Sequence, residues 1–156
     1  MQPTKEVAVK TVSAIISGRE PYSVTLGTNV FDVIQLMASK NIGAICIVDS
    51  SATMRLRGVF SERDLLKRVV LQGLDPRALT IETVMTKNVA VASAGESYDV
   101  CMERMKRVNS RHLPVVEGEK FLGMISVRDL LETNLEEKDA ELKMMNAYIH
   151  DMPATV

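Results

Sequence analysis

The chain has few of the residues that carry out chemistry and no run that would enter a membrane. It contains two cysteines, Cys46 and Cys101, and two histidines, His112 and His150. The cysteines fall in apolar periodic segments and form no CxxC, so they read as buried thiols of a reducing compartment. No Cys/His/Asp set has the spacing of metal ligands, so no metal is expected. The phosphate loop GxxxxGK[ST] and the nucleophile elbow GxSxG are both absent. Ser61 and Ser126 have no adjacent histidine to act as base. An enzyme is therefore not expected. A net charge of −1 gives no overall field for nucleic acid or an anionic membrane. No apolar run approaches the roughly 20 residues of a membrane span, and Met1 to Glu6 lack the apolar core of a signal peptide. These absences together lead to the expectation of a cytoplasmic protein. Low aromatic content (4%) beside ten methionines implies a pliable interior of Leu, Met and Val.

The chain does contain a repeat. Gly58-Val59-Phe60-Ser61-Glu62-Arg63-Asp64-Leu65-Leu66 returns 65 residues later as Gly123-Met124-Ile125-Ser126-Val127-Arg128-Asp129-Leu130-Leu131, with six of nine positions identical. Upstream the offset is 68: Gly27 matches Gly95, Met37 matches Met105, Asn41 matches Asn109 and Val48 matches Val116. The first copy thus carries three extra residues, between Asp49 and Leu56. Length differences of this kind belong in surface loops. A duplicated unit predicts two equivalent sites about a pseudo-twofold axis, and one copy alone has too little core to stand by itself.

Each copy reads as helix, strand, strand, helix. Val30, Val33, Ile34 and Met37 lie on one helical face, as do Tyr98, Cys101, Met102 and Met105, with Asn29 and Ser97 as N-caps. Ala44 to Val48 and Leu113 to Val116 read as buried strands. Arg55 to Phe60 and Phe121 to Ile125 follow them as second hairpin strands. A helix then opens at Ser61 or Ser126. An extra short strand is expected at Ser23-Val24-Thr25 and at Val89-Ala90-Val91, with short lead-in helices at Val12 to Ile16 and Ile81 to Met85. After Asp129 the helical pattern continues for about twenty residues through Leu131, Leu135, Leu142, Met145 and Ile149. This stripe either packs on its own domain or contacts a partner. The expected division is an N-terminal segment 1–11, a first repeat 12–72, a linker 73–78 with Gly and Pro stop signals, a second repeat 79–133, and a C-terminal helix and tail 134–156.

The chemistry centres on strand–Gly-x-x-Ser-x-Arg-Asp–helix. Gly58 and Gly123 permit close approach to the backbone. Ser61 and Ser126 stand at a helix start, where amides and a hydroxyl favour phosphate. Arg63 and Arg128 can add a charge-assisted bond, and Asp64 and Asp129 can accept from both hydroxyls of a ribose, as acids do in other nucleotide folds. Ser-x-x-Asp is equally a capping box that satisfies the helix's own amides. Arg111-His112-Leu113-Pro114 is a second candidate, with two potentially cationic groups at a strand mouth and a proline that suggests an edge or bulge. The first copy has Gly43-Ala44 there.

The doubled motif, with Arg-His-Leu-Pro-Val-Val before its second copy, resembles the cystathionine-β-synthase (CBS) domain. Two in tandem are similar to a Bateman module over about residues 12–133. The tail, with Asn146-Ala147-Tyr148-Ile149-His150, is similar to small stand-alone two-CBS proteins of bacteria and plant organelles. The resemblance implies an α/β (α+β) fold of two βαββα units packed through their sheets. It implies an adenine nucleotide in clefts between the repeats: AMP, ADP, ATP, NAD or S-adenosylmethionine. It assigns ribose to Asp64 and Asp129, and phosphate or ribose to Ser61, Ser126, Arg63, Arg128, Arg111 and His112. Base contacts, mainly from backbone, go to Tyr22, Ser23, Val24, Val89, Ala90 and Val91. It also implies disc-shaped homodimers and a regulated partner protein. Gly43-Ala44 departs from the pattern and leaves one phosphate pocket less charged. The expectation is a nucleotide sensor, and the rival is a ligand-independent dimerisation or adaptor module.

Overall fold

The structure, a computed structural model, describes residues 10–151. Most of the expected N-terminal segment and the last five residues of the tail lie outside that range. Two three-stranded sheets form the centre. The first has strands β1 (Ser23–Thr25), β2 (Ala44–Val48) and β3 (Leu56–Ser61) in the order β1-β2-β3; the second has β4 (Ala92–Ser93), β5 (His112–Glu117) and β6 (Lys120–Ser126) in the order β4-β5-β6. In each, the first pair is parallel and the second a hairpin. The helices are α1 (Val12–Ile16), α2 (Val30–Lys40), α3 (Glu62–Asp64), α4 (Tyr98–Val108) and α5 (Val127–Asp151), with α3 continuing as π-helical turns over Leu65–Val70.

The local reasons repeat as the sequence does. Asn29 caps α2 by accepting from the Phe31 amide at 2.9 Å. Helices α2 and α4 both end on an asparagine in the left-handed region, Asn41 at φ 53° and Asn109 at φ 52°, a conformation asparagine tolerates better than most residues. Both hairpins carry an irregularity at equivalent places, between Ile47 and Val48 and between Val115 and Val116. The three extra residues lie in the first hairpin loop. There Asp49 Oδ1 accepts from the Ser50 amide (2.8 Å), the Thr53 hydroxyl (2.6 Å) and the Arg55 amide (2.9 Å). Pro114 sits beside a bulge, where β5 runs past the two-residue β4 and has a neighbour on one side only.

Strand β2 is buried at every position because both of its faces are covered. Ile45 and Ile47 pack with Val30, Val33 and Met37 of α2, whereas Cys46 and Val48 pack on Phe121 of the other repeat. The two sheets therefore meet across a third, smaller cluster built around Cys46, Val48 and Phe121.

The lead-ins cross over. Ile81, Val84 and Met85 precede the second repeat but complete the core of the first, with Val30, Val33 and Phe60. Val12, Ile15 and Ile16 precede the first repeat but complete the core of the second, with Tyr98, Cys101, Leu113 and Leu130. Equivalent hydrogen bonds hold them: the Val12 amide to the Glu96 carbonyl at 2.9 Å and the Ile81 amide to the Thr28 carbonyl at 2.8 Å.

Two expectations shift. The second short strand lies at Ala92–Ser93 rather than at Val89 to Val91. Asn88 turns the chain at φ 54°, and the Val91 carbonyl accepts from Arg104 Nη1 at 2.7 Å. The lead-in at Ile81–Thr83 is a 3₁₀ turn rather than an α-helix. Helix α5 extends beyond the domain. Leu130 is buried, but Leu135, Leu142 and Met145 are exposed, so the stripe is not covered among the described residues; the Ile149 side chain lies outside them. No described helix is long and apolar enough to cross a membrane.

Candidate functional site

Both copies of Ser-x-x-Asp form capping boxes. In the first, Asp64 Oδ2 accepts from the Ser61 amide (2.9 Å) and hydroxyl (3.1 Å), and the Asp64 amide donates to Ser61 Oγ at 3.3 Å. In the second, Asp129 Oδ2 accepts from the Ser126 amide (2.8 Å) and hydroxyl (2.9 Å), and the Asp129 amide donates to Ser126 Oγ at 3.2 Å. The first helical amide is engaged too: Glu62 donates to the Gly43 carbonyl at 3.0 Å and Val127 to the Arg111 carbonyl at 2.9 Å. Two of the first three amides that could have met a phosphate are thus internally satisfied. What each box leaves facing outward is the other carboxylate oxygen, Oδ1.

The two Oδ1 atoms meet different neighbours. Asp64 Oδ1 accepts from the Thr86 hydroxyl at 3.0 Å and lies 3.7 Å from Arg68 Nε. Thr86 is pinned by its backbone, donating to the Val59 carbonyl at 2.8 Å and accepting from the Val59 amide at 3.0 Å. Arg68 Nη1 donates to the Met85 carbonyl at 2.6 Å. The segment is pressed so closely onto β3 that a Cβ on Gly58 would stand 2.7 Å from Met85 Sδ and 2.8 Å from the Thr86 carbonyl oxygen. Here the requirement for glycine is close approach, and Met85 and Thr86 lie across the first cleft.

Asp129 Oδ1 instead pairs with Arg19 Nη1 at 2.8 Å, and the Asp129 side chain is 15% exposed against 46% for that of Arg19. Beside this pair opens a cavity of about 530 Å³, within the range of small-ligand sites. The first repeat contributes Tyr22, Ile42, Gly43 and Ala44, and the second contributes His112, Gly123, Ser126 and Asp129. A Cβ on Gly123 would meet only the end of the Ile16 side chain, at 3.0 Å. His112 is half-buried, and desolvation depresses its pKa, with Asp129 opposing that effect. Its ring is accordingly neutral near pH 7, able to donate from one nitrogen and accept at the other.

The candidate residues divide along this line. Ser126, Asp129, His112 and Tyr22 meet at the cavity. Ser61 and Asp64 lie at the first cleft, against Thr86 and Arg68. Arg63, Arg111 and Arg128 are exposed and do not line the cavity, and Arg128 pairs with Glu132 at 3.2 Å. Ser23 and Val24 lie on β1, with Val24 packed against the core. Val89, Ala90 and Val91 are half-buried outside the cavity. Arg19, Thr86 and Arg68 escaped the sequence reading. Arg19 and Thr86 each follow the lead-in of one repeat but serve the other, and only the crossed lead-ins bring them to the acids.

The CBS domain family matches residues 12–71 and again residues 81–136. Among solved structures, a protein with CBS domains from Burkholderia ambifaria is 36% identical, covering 94% of this chain and 99% of that one, with a TM-score of 0.71. The CBS-domain protein ATU1752 from Agrobacterium tumefaciens is 28% identical over 80% of this chain and 99% of its own, with a TM-score of 0.70. The CBS domain pair of protein MJ0100, solved with 5′-methylthioadenosine and S-adenosyl-L-methionine, shares the fold at 23% identity and a TM-score of 0.71, covering 83% of this chain and 98% of its own. Among curated relatives, the mitochondrial CBS domain-containing protein CBSX3 of Arabidopsis thaliana is 28% identical over 80% of this chain and 62% of its own length; the CBSCBSPB2 protein of the same plant is 32% identical over 74% of this chain but only 22% of its own. The chain thus spans less than two thirds of these curated relatives. With the repeated strand–Gly-x-x-Ser-x-Arg-Asp–helix unit and both family matches falling on the same two halves, this chain belongs to the CBS-domain family as a tandem pair.

Proposed function

We propose that the chain is a regulatory sensor that holds an adenine nucleotide (AMP, ADP, ATP or NAD) in the cleft at Asp129, and not in the cleft at Asp64. The observation that carries this reading is the cavity of about 530 Å³ built from both repeats beside Asp129, whose Oδ1 pairs with a half-exposed arginine. A ribose hydroxyl donates to Oδ1, while the base lies along Tyr22, Ile42 and Met124, which line the same space. His112 meets the polar end. The adenosine compounds bound by MJ0100 on the same fold support the ligand class. Because the cavity walls come from both repeats, a ligand there favours one relative placement of the two sheets, to the extent of its differential affinity for the two placements. The reading is of a protein that binds and releases its ligand unchanged, which chromatography of ATP and NAD after incubation checks. Two free, buried thiols fit a reducing compartment such as the cytoplasm.

Thermal melts with AMP, ADP, ATP, NAD, NADH and S-adenosylmethionine test this directly. A ligand at a hundredfold its Kd adds about 2.7 kcal/mol, or about 5–10 °C in midpoint for a chain of this size. Asp129→Ala abolishes the shift and Asp64→Ala retains it. No shift from any compound rejects the sensor.

One observation favours a second reading, self-association. Leu131 and Leu135 on α5 are exposed, and so are Leu66 and Val70 at the equivalent places of the first repeat. Large exposed apolar faces of this kind mark protein contacts. Sedimentation of the Leu131→Glu/Leu135→Glu variant should show a smaller species than the wild type; identical profiles count against it.

A further inference from the structure

We infer that Arg19 is the specificity-determining residue of the Asp129 cleft, selecting adenosine compounds that carry a phosphate over adenosine itself. The inference rests on the nucleotide reading and adds to it the charge of the ligand.

The argument starts from Asp129. Its Oδ2 is committed to the capping box, accepting from both the amide and the hydroxyl of Ser126. Only Oδ1 remains for a ribose, and Arg19 Nη1 already holds it at 2.8 Å. A ribose hydroxyl bonding Oδ1 competes with the guanidinium for that atom, and the guanidinium can withdraw. This is a side-chain movement: Arg19 is half-exposed and follows Gly18, whose φ is +79°, in the turn after α1. Thr86 in the other cleft has no such freedom, since its amide and carbonyl are both bonded to Val59.

Once displaced, the guanidinium has lost its carboxylate. The charged or titratable residues lining the cavity are Arg19, Glu20, Tyr22, Asp129 and His112. His112, faced by Asp129, Arg111 and Glu62, is held toward its neutral form by burial. Arg19 is therefore the cavity's fixed cation among the described residues. A neutral nucleoside occupies Asp129 and leaves Arg19 only water and the neighbouring Glu20. A phosphate takes Arg19 over from Asp129, in the planar two-point geometry that guanidinium groups favour. The same side chain thus opposes the ribose and rewards the phosphate. The two effects have opposite signs, and a residue that merely supported the fold would not produce both.

The test is calorimetric titration of adenosine and of AMP into the full-length wild type, Arg19→Gln and Arg19→Lys, with a melt of each unliganded variant to establish folding. Removing the competitor should tighten adenosine by about threefold to tenfold, and removing the phosphate partner should weaken AMP by about tenfold, the factor of one charge-assisted bond. The preference for AMP over adenosine should fall by more than tenfold in Arg19→Gln and recover in part in Arg19→Lys. A preference unchanged in Arg19→Gln, or both ligands weakening together, overturns the inference while leaving the nucleotide reading standing. A wild type that binds neither ligand rejects the nucleotide reading, and the inference with it.

Discussion

Asp64 and Asp129 occupy equivalent positions in equivalent capping boxes, yet the Oδ1 of one accepts from the Thr86 hydroxyl with Arg68 3.7 Å away, and that of the other pairs with Arg19 at 2.8 Å. The difference arises upstream of the motif. On the Asp64 side, Thr86 is bonded to Val59 through both backbone groups and its short side chain reaches the acid. On the Asp129 side, the lead-in meets β6 through the Ile16 side chain, and the long Arg19 side chain reaches the acid. The motif builds the acid in both halves, and the segment lying across it gives each acid different neighbours.

The largest expected effect on this comparison is in ligand binding. Asp129→Ala should remove the ligand-induced rise in melting temperature altogether and Asp64→Ala should keep it; an equal loss in both variants would mean that the two clefts are functionally alike. Next comes the packing of the lead-ins. Gly58→Ala must displace the Thr86 carbonyl and should cost about 1–3 kcal/mol in urea unfolding. Gly123→Ala meets only the Ile16 methyl, which can rotate, and should cost less than about 1 kcal/mol. Equal costs would show that the first cleft is no tighter than the second. Smaller again, Thr86→Val removes the hydroxyl bonded to Asp64 without removing the branch, and should cost about 1 kcal/mol.

The smallest effect concerns acid. The second half holds a bidentate pair, Arg104 with Glu96, at 2.7 Å for each contact, where the first half has Thr28 and Leu36 at the same offset. Its hydrogen bonds from Arg104, foremost, hold the Glu96 carboxyl down at about 2. A carboxyl depressed on folding stabilises above its unfolded value of about 4.3, and that contribution is lost as pH falls through the folded one. His112 acts in the same sense at higher pH. Burial lowers its pKa, so the unfolded chain takes up the proton more readily, and stability falls as pH drops below about 6.5. Denaturant midpoints from pH 7.5 to pH 3 should decline in both windows. His112→Gln should flatten the upper one and Glu96→Gln the lower; parallel curves for wild type and variants would remove the assignment.

Much of the fold was legible because it depends on neighbours close in sequence. The i, i+3, i+4 pattern at Val30, Val33, Ile34 and Met37 announced α2, Asn29 announced its cap, and the five apolar residues of β2 announced a strand buried on both faces. The inserted loop was found by counting offsets. The second short strand was misplaced because its two residues, Ala92 and Ser93, carry no alternation to read. Arg63 and Arg128 attracted attention by recurring, but on the helix they point to solvent beside the box and not into the cavity.

The sequence by itself determined that there are two CBS-type units, where each element lies, and that Ser61–Asp64 and Ser126–Asp129 begin helices, since periodicity and capping act over three or four residues. Tertiary structure alone decided that the lead-ins cross, that Thr86 donates to one acid, and that Arg19 pairs with the other. Those contacts join residues 22 and 110 positions apart. They exist only because each lead-in must bury its apolar face somewhere, and the face open to it belongs to the other repeat.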